Sequence, residues 1–349
     1  MSKKPKLETV AKEAGVSVAT VSQVLRGSGR ISEATRKLVL QTAKRLHYVP
    51  DGRAAAMRSG DNREIGLSIH KIANRFNAEI ISGASDLLES EGYLLSVLDA
   101  RDDAERQRRQ LEIFIRSSRG GLLWVPAADT PKSTYDLLNA HQLPNVTFLR
   151  RSEHLNVDHV GIENAVATAA ATNHLIDLGH RQIAYLGGNA RVPVREERVE
   201  GYLNALHANG LDSPVIWECP DGRLSGMSAM NALRDAHPEV TAIVCNGDMV
   251  AIGACLALQR RGEQPGRDVS VVGFDNILDA EIATPPLTTM AVSPYKLGRK
   301  LARVMLERIR EPDMPTAMSL VPAPLLVRET TGAPPDRFSA VKNKRDVTA

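Results

Sequence analysis

From Ile65 onward, short apolar runs alternate with helical stretches, and that alternation restricts the chain to a parallel-sheet α/β architecture. Apolar runs at 65–69, 93–98 and 121–125 are separated by helical patterns near 78–88 and 105–115. The pattern resumes with runs at 160–162, 183–187, 215–219, 243–246 and 269–274 and with helices near 166–178 and 197–208. Parallel neighbours need a long crossover, which a helix supplies, so each run, helix and run reads as one βαβ unit. Two series of similar length predict two parallel-sheet subdomains with a cleft where strand ends face each other, the usual place for a small ligand.

The first 60 residues follow a different grammar. They hold 12 Lys/Arg against 4 acids, a net +8, which leaves −5 for the rest of a chain whose total is +3. A small basic module on a mildly acidic body points to a polyanion binder attached to something that is not one. The patterning of residues 7–46 predicts three short helices. Leu7, Val10, Ala11 and Ala14 share the face of a first helix, and Gly15 supplies a turn. Ser17 is placed to cap a second helix carrying Val18, Val21, Val24 and Leu25. Ala11, Gly15 and Val21 have the spacing of a helix-turn-helix: a small residue where helices touch, a glycine free to take positive φ, and a β-branched residue packing back. Ser32 caps a third helix through Leu38, Val39, Ala43 and Leu46, ended at Tyr48-Val49-Pro50.

In such a module the second helix enters the major groove. Val18 and Ala19 can touch thymine methyls, and Gln23 can make the paired hydrogen bonds that adenine offers. Thr9, Ser17, Thr20, Ser22, Arg26 and Arg30 suit phosphates. Residues 53–58, Arg-Ala-Ala-Ala-Met-Arg, have helix propensity but too little length to be stable alone. They read either as a flexible linker or as a helix that forms when two copies meet on DNA, with Met57 as an apolar wedge in the minor groove.

The body offers no catalytic constellation: GxSxG, HExxH, P-loop and GxGxxG patterns are missing. Cys219, Cys245 and Cys255 show neither disulfide nor zinc-ligand spacing and are expected to be reduced core residues. His174 and His180 flank a helix end and suit capping or core roles better than ligation. Gly187-Gly188 after a strand suits a turn more readily than a phosphate cradle. No apolar run approaches the roughly 18 residues of a membrane span, and the first residues lack the apolar segment of a secretory signal, so a cytoplasmic protein without membrane, metal or cofactor is expected. A solute-binding protein is disfavoured by the basic head, and an α/β enzyme by the missing nucleophile or metal set.

These residues resemble the LacI/GalR family of ligand-responsive bacterial transcription regulators across nearly the whole chain. The motifs are Val10-Ala11 through Ala14-Gly15-Val16-Ser17, Thr20-Val21-Ser22, the 48–50 junction, Leu178-Gly179-His180-Arg181, the run 269–275 and Pro285-Pro286-Leu287-Thr288-Thr289. The resemblance implies an all-α helix-turn-helix head on an α/β periplasmic-binding-protein-like body of two doubly wound parallel-sheet subdomains. It implies a homodimeric repressor on a pseudo-palindromic DNA operator, controlled allosterically by a small effector, a sugar or sugar derivative. The expected organisation is a head over 1–60 with its hinge at about 50–60, a body over 61–332 and a polar tail over 333–349. The body's subdomains fall at about 61–160 and 161–290, with crossovers near 160 and 290–325. The tail lacks heptad leucines, so a dimer is expected rather than a tetramer.

The resemblance also assigns Arg53, Ala54 and Met57 to the DNA-contacting hinge and Phe76, Asn77, Arg198, Asn246 and Asp275 to the effector pocket. Arg198 has a fork suited to vicinal hydroxyls or a carboxylate, and Asp275 can accept from hydroxyls; a structural ion pair is the alternative for each. The chain departs from the family pattern at three places. Gly247-Asp248 stands where Asn-Asp is usual, Asn74-Arg75-Phe76-Asn77 replaces Asn-Pro-Phe-aromatic, and the stretch 221–223 lacks the stacking aromatic of some members. With aromatics at 4% of the chain, stacking faces are few, which suits a charged or acidic sugar.

Overall fold

The computed structural model describes residues 5–50, 62–117, 120–152, 154 and 156–335. They fall into two compact units that divide between Asn62 and Arg63. The expected hinge contacts Arg53, Ala54 and Met57, and the tail beyond 335, lie outside the described residues.

The first unit is three helices: α1 (Leu7–Ala14), α2 (Val18–Leu25) and α3 (Glu33–Arg45). Val10, Ala11, Ala14, Val21, Val24, Val39 and Ala43 form its core. Gly15 takes φ 64°, the left-handed turn that lets α2 fold back on α1. The Ser17 hydroxyl accepts the Thr20 N–H at 3.0 Å and the Ser32 hydroxyl accepts the Thr35 N–H at 3.2 Å, so both expected caps are present. Leu38 differs from the apolar pattern: it is 47% exposed, because the inward stripe of α3 runs through Val39, Thr42 and Ala43 instead.

The second unit holds two six-stranded sheets. The first contains β1 (Glu64–Ile69), β2 (Leu94–Asp99), β3 (Gly121–Trp124), β4 (Asn145–Phe148), β5 (Asp158–Ile162) and β11 (Met318–Val321), in the order β11-β5-β4-β3-β1-β2 and parallel throughout. The second contains β6 (Ile183–Leu186), β7 (Val215–Trp217), β8 (Ala242–Cys245), β9 (Ser270–Phe274), β10 (Thr288–Met290) and β12 (Leu325–Leu326), ordered β12-β10-β9-β8-β6-β7. Only β12 runs antiparallel in it. The chain passes between the sheets after β5, after β10 and after β11. Elements α6 (Lys132–Ala140), β4, α9 (Arg223–Ala236), α10 (Asp248–Arg260), α12 (Pro294–Arg310) and β10 to β12 had no counterpart in the sequence reading. The remaining helices are α4 (Arg75–Ser90), α5 (Ala104–Arg116), α7 (Asn164–Asp177), α8 (Pro193–Ala208) and the short α11 (Leu278–Ile282).

Glycines set how closely the helices meet. A Cβ on Gly83 of α4 would lie 2.0 Å from the Tyr295 carbonyl oxygen of α12, and one on Gly298 would lie 2.1 Å from that of Ile80. Gly201 of α8 sits against the Ala165 carbonyl oxygen of α7 at 2.1 Å, and Gly253 of α10 against that of Arg223 in α9 at 2.2 Å, measured the same way. Each pair therefore packs backbone to backbone, and an added methyl must push a helix away. Gly298→Ala is expected to lower stability by about 1–3 kcal/mol, the usual cost of overpacking. Urea unfolding of the full chain checks it; an unchanged midpoint would mean that α4 and α12 separate without cost.

Candidate ligand cleft and DNA-reading face

On the head, the start of α2 presents an exposed surface. Val18 is 41% exposed, an apolar side chain left in solvent, and Ser17, Ala19 and Gln23 are exposed beside it while Thr20 is half-buried. The Ser17 and Thr20 hydroxyls lie 2.8 Å apart, so the cap fixes both. Arg26 and Arg30 are exposed on the turn that follows α2, where Gly27 and Gly29 take φ 69° and 84°. Arg26 Nε donates to the Ser22 carbonyl at 3.2 Å, which leaves its terminal nitrogens to face outward contacts. The Gln23 carboxamide lies over Gly29: a Cβ there would meet its Oε1 at 2.9 Å. Gln23 thus has its stem braced by the turn, which restricts the rotamers it must lose on binding a base.

In the body, one cavity, about 720 Å³ of empty space with the open solvent at its mouth included, lies where strand ends of the two sheets converge. Its walls follow from topology. His70, Val125 and Leu149-Arg150 come directly after β1, β3 and β4; Gly188, Asn246 and Asp275 come directly after β6, β8 and β9. The carboxyl ends of parallel strands are where an α/β sheet leaves a crevice. The first turn of α4 adds Phe76, and the first two turns of α8 add Val194, Arg195 and Arg198.

Of the residues expected around a ligand, Phe76, Arg198, Asn246 and Asp275 line this cavity and Asn77 does not. One residue on from Phe76, Asn77 is turned by a helical step toward the loop after β1; it is wholly buried and its Nδ2 donates to the Lys71 carbonyl at 2.8 Å. Asn246 is half engaged by protein: its Oδ1 accepts the Tyr185 hydroxyl at 2.8 Å and its Nδ2 donates to Asp221 at 2.8 Å, which leaves one donor and one acceptor site of the amide. Arg198 stands 3.8 Å from Asp275, so the pair is at once cavity wall and ion pair. Its guanidinium stacks on Phe274 at 3.6 Å, its Nε donates to Asn164 at 2.9 Å and its Nη1 to the Asn246 carbonyl. Much of the fork is therefore spent on protein.

Asp275 takes φ 114°, uncommon for a residue with a side chain, in a loop that Arg328 braces through Asn276 at 2.8 Å. Burial pushes its carboxyl well above the usual range against the pull of Arg198. Gly247 makes room for it, since a Cβ there would lie 3.2 Å from Asp275 Oδ2. The neighbouring Asp248 turns inward. It accepts the Thr289 hydroxyl at 2.6 Å and the Ile277 N–H at 2.9 Å and so secures the loop that carries Asp275.

The sequence reading missed His70, Arg150 and Arg195 as cavity residues. Arg195 was within reach, because it lies three residues before Arg198 on a helix and shares its face; His70 and Arg150 needed the strand ends. Arg150 pairs with Asp102, also at 3.1 Å through Nη2, and donates to the Pro126 carbonyl at 3.2 Å. Beside Phe76, His70 is the only other aromatic ring on the cavity among the described residues. His180 is a core residue joined to Thr241 and Ser270 at 2.8 and 3.0 Å, and the three cysteines are buried and unpaired.

Comparisons agree with this architecture. Residues 6–51 match the model of the lacI family of bacterial regulatory proteins, and residues 172–331 match a periplasmic binding protein-like domain. The maltose regulon regulatory protein MalI of Escherichia coli K12 is 31% identical over 93% of this chain and 98% of its own. A solved complex of the transcriptional regulator CelR with cellobiose is 30% identical, covering 93% of this chain and 99% of that one, with a TM-score of 0.71. The lac repressor dimer bound to operator and an anti-inducer superposes with a TM-score of 0.85 at 25% identity, covering 95% and 100%. A helix-turn-helix head and a two-sheet binding body define a DNA-binding regulator rather than an enzyme. The chain belongs to the lacI family of bacterial regulatory proteins. No helix among the described residues is long and apolar enough to cross a membrane.

Burial, with Arg150 adding to it, pushes His70 down from about 6.5 to about 4, and burial does the same to His159. Both stay neutral when folded but take a proton near 6.5 when unfolded, so the stability they permit is present above about 6.5 and lost as pH falls toward 4. His70→Gln should flatten part of that acid slope and leave the share belonging to His159. Thermal melts from pH 7 to 4 test this, and an unchanged slope would place His70 in an open environment.

Proposed function

We propose that the chain is a sequence-specific transcriptional repressor that binds a pseudo-palindromic operator as a homodimer and is released from it, or strengthened on it, by a small sugar-like effector seated in the cleft. The observation that carries this reading is the pairing of a capped, solvent-facing α2 on a basic head with a cavity built from strand ends of two sheets. The operator-bound dimer and the cellobiose complex among its relatives support the partner types. Val18, Ala19 and Gln23 read base edges, Ser17, Thr20, Arg26 and Arg30 hold phosphates, and Arg53, Ala54 and Met57 form the hinge contact in the minor groove. Phe76, Arg198, Asn246 and Asp275 receive the effector. Control follows by linkage: an effector that binds the closed cleft better than the open one shifts the operator-bound population by that difference in affinity.

Selection of genomic fragments by the full-length protein at physiological salt, followed by sequencing, tests the reading. A two-fold symmetric motif is expected, and diffuse recovery would oppose it. Binding to the recovered site should fall steeply as salt rises, because phosphate contacts release counterions. Gln23→Ala should relax base choice at one position per half-site, by about 1–3 kcal/mol for a paired contact. An unchanged motif would make Gln23 a mere surface residue.

A further inference from the structure

Four arginines are buried among the described residues: Arg150, Arg195, Arg198 and Arg234. Three have a carboxylate within ion-pairing range, Asp102, Asp275 and Glu263 respectively. Arg195 has none among the described residues, although it is only 8% exposed. Its Nε donates to the Gly187 carbonyl at 3.0 Å, and its guanidinium carbon lies 5.9 Å from the centre of the Tyr185 ring. Its two terminal nitrogens have no acceptor among the described residues and stand on the wall of the cavity. A guanidinium on a cavity wall, with no carboxylate in ion-pairing range, offers its terminal N–H groups to an anion that enters the cavity.

The surroundings are built for that side chain. Gly187 and Gly188 take φ 107° and 73°, and a Cβ on Gly188 would strike Arg195 Cδ at 2.6 Å, so Gly188 is what lets the arginine lie along the end of β6. Asp221, on the same cavity, is occupied by Asn246 at 2.8 Å and makes no ion pair with Arg195. Asp275 is paired with Arg198 at 3.8 Å, which limits its repulsion of an anion. Phe76 is only 4% exposed and so gives a neutral sugar little ring surface to stack on.

We propose, resting on the ligand-controlled reading above, that the effector is an anionic polyol, a sugar acid or a sugar phosphate, whose carboxylate or phosphate takes paired hydrogen bonds from Arg195. The planar fork suits either group. This makes Arg195, rather than the partly satisfied Arg198, the residue that selects the ligand's charge.

The test uses the full-length protein with four probes at matched ionic strength: D-gluconate, D-glucose 6-phosphate, inorganic phosphate and neutral D-glucose. Unfolding midpoints and calorimetric titrations are read for each. At least one anionic probe should bind saturably and about ten- to a hundredfold more tightly than D-glucose, the range expected of charge-assisted hydrogen bonds. Which of the carboxylate and phosphate probes prevails identifies the group. Arg195→Gln should erase the preference without lowering the ligand-free midpoint, and Arg195→Lys should keep part of it. The proposal is overturned if no anionic probe outbinds D-glucose, or if Arg195→Gln binds the anion as the wild type does. Operator binding measured with each probe separates the two readings. A neutral sugar that alone alters operator affinity sinks the anionic assignment and leaves ligand control standing; an anion that binds without altering it does the reverse.

Discussion

The chain passes between its two sheets three times, and the rest of the body depends on that constraint. The last two passages lie side by side, the Ala291 N–H donating to the Pro324 carbonyl at 2.6 Å, while β11 completes the first sheet at 318–321 and β12 completes the second at 325–326. Between them and β10 runs α12, which returns to pack on α4 of the first sheet. Neither sheet is therefore made from one continuous stretch, and each is closed by a segment that the other has already positioned. A cleft spanned by three connections can open and close through φ/ψ changes at a few connector residues while both sheets stay intact.

The parallel topology explains how polar residues scattered along the chain become a site. His70, Arg150, Gly188, Asn246 and Asp275 are far apart in sequence, yet each is the first or second residue after a parallel strand. Where a side chain would have blocked an approach, the chain carries glycine: Gly188 admits Arg195, and Gly247 admits Asp275. The replacement of the family's asparagine by Gly247 therefore opens the cavity toward Asp275, and Asn246, one residue earlier, takes the polar position on the wall. Other buried arginines of the body are closed off in pairs, Arg150 on the cavity wall with Asp102 and Arg234 with Glu263.

Much of this was legible in the sequence, and the failures have physical causes. The head was read almost to the residue because Gly15, Ser17 and Ser32 punctuate it and its helices are amphipathic. Strands β1, β3, β6, β8 and β9 were legible as buried apolar runs. Helix α10 was not, because Val250, Ala251, Ala254, Cys255, Ala257 and Leu258 are all buried and leave no polar stripe to set a period. Strands β10, β11 and β12, of two to four residues, are too short to carry a pattern. Helix α12 is another matter: Leu297, Leu301, Ala302 and Met305 repeat at helical spacing against Lys and Arg, and that signal was available. In the site, Arg198 and Asp275 came from motifs, whereas Asn77 was misplaced because a motif does not say which way a helix turns.

The reading face of the head also bears on how the molecule must be assembled. Val18 and Ala19 offer bases only apolar contact, and Gln23 is the one side chain among the three that can make a paired hydrogen bond. One such contact discriminates by about 1–3 kcal/mol, whereas specific recognition against a genome needs about 4–10 kcal/mol over nonspecific binding. A single head of this composition falls short, while two heads on symmetric half-sites double the direct term and add whatever the intervening DNA contributes through its shape. The basic charge of the head cannot close the gap, because phosphate contacts strengthen right and wrong sites alike. On the repressor reading proposed above, in which Val18, Ala19 and Gln23 meet the bases, specificity then comes from pairing two heads rather than from Gln23 alone.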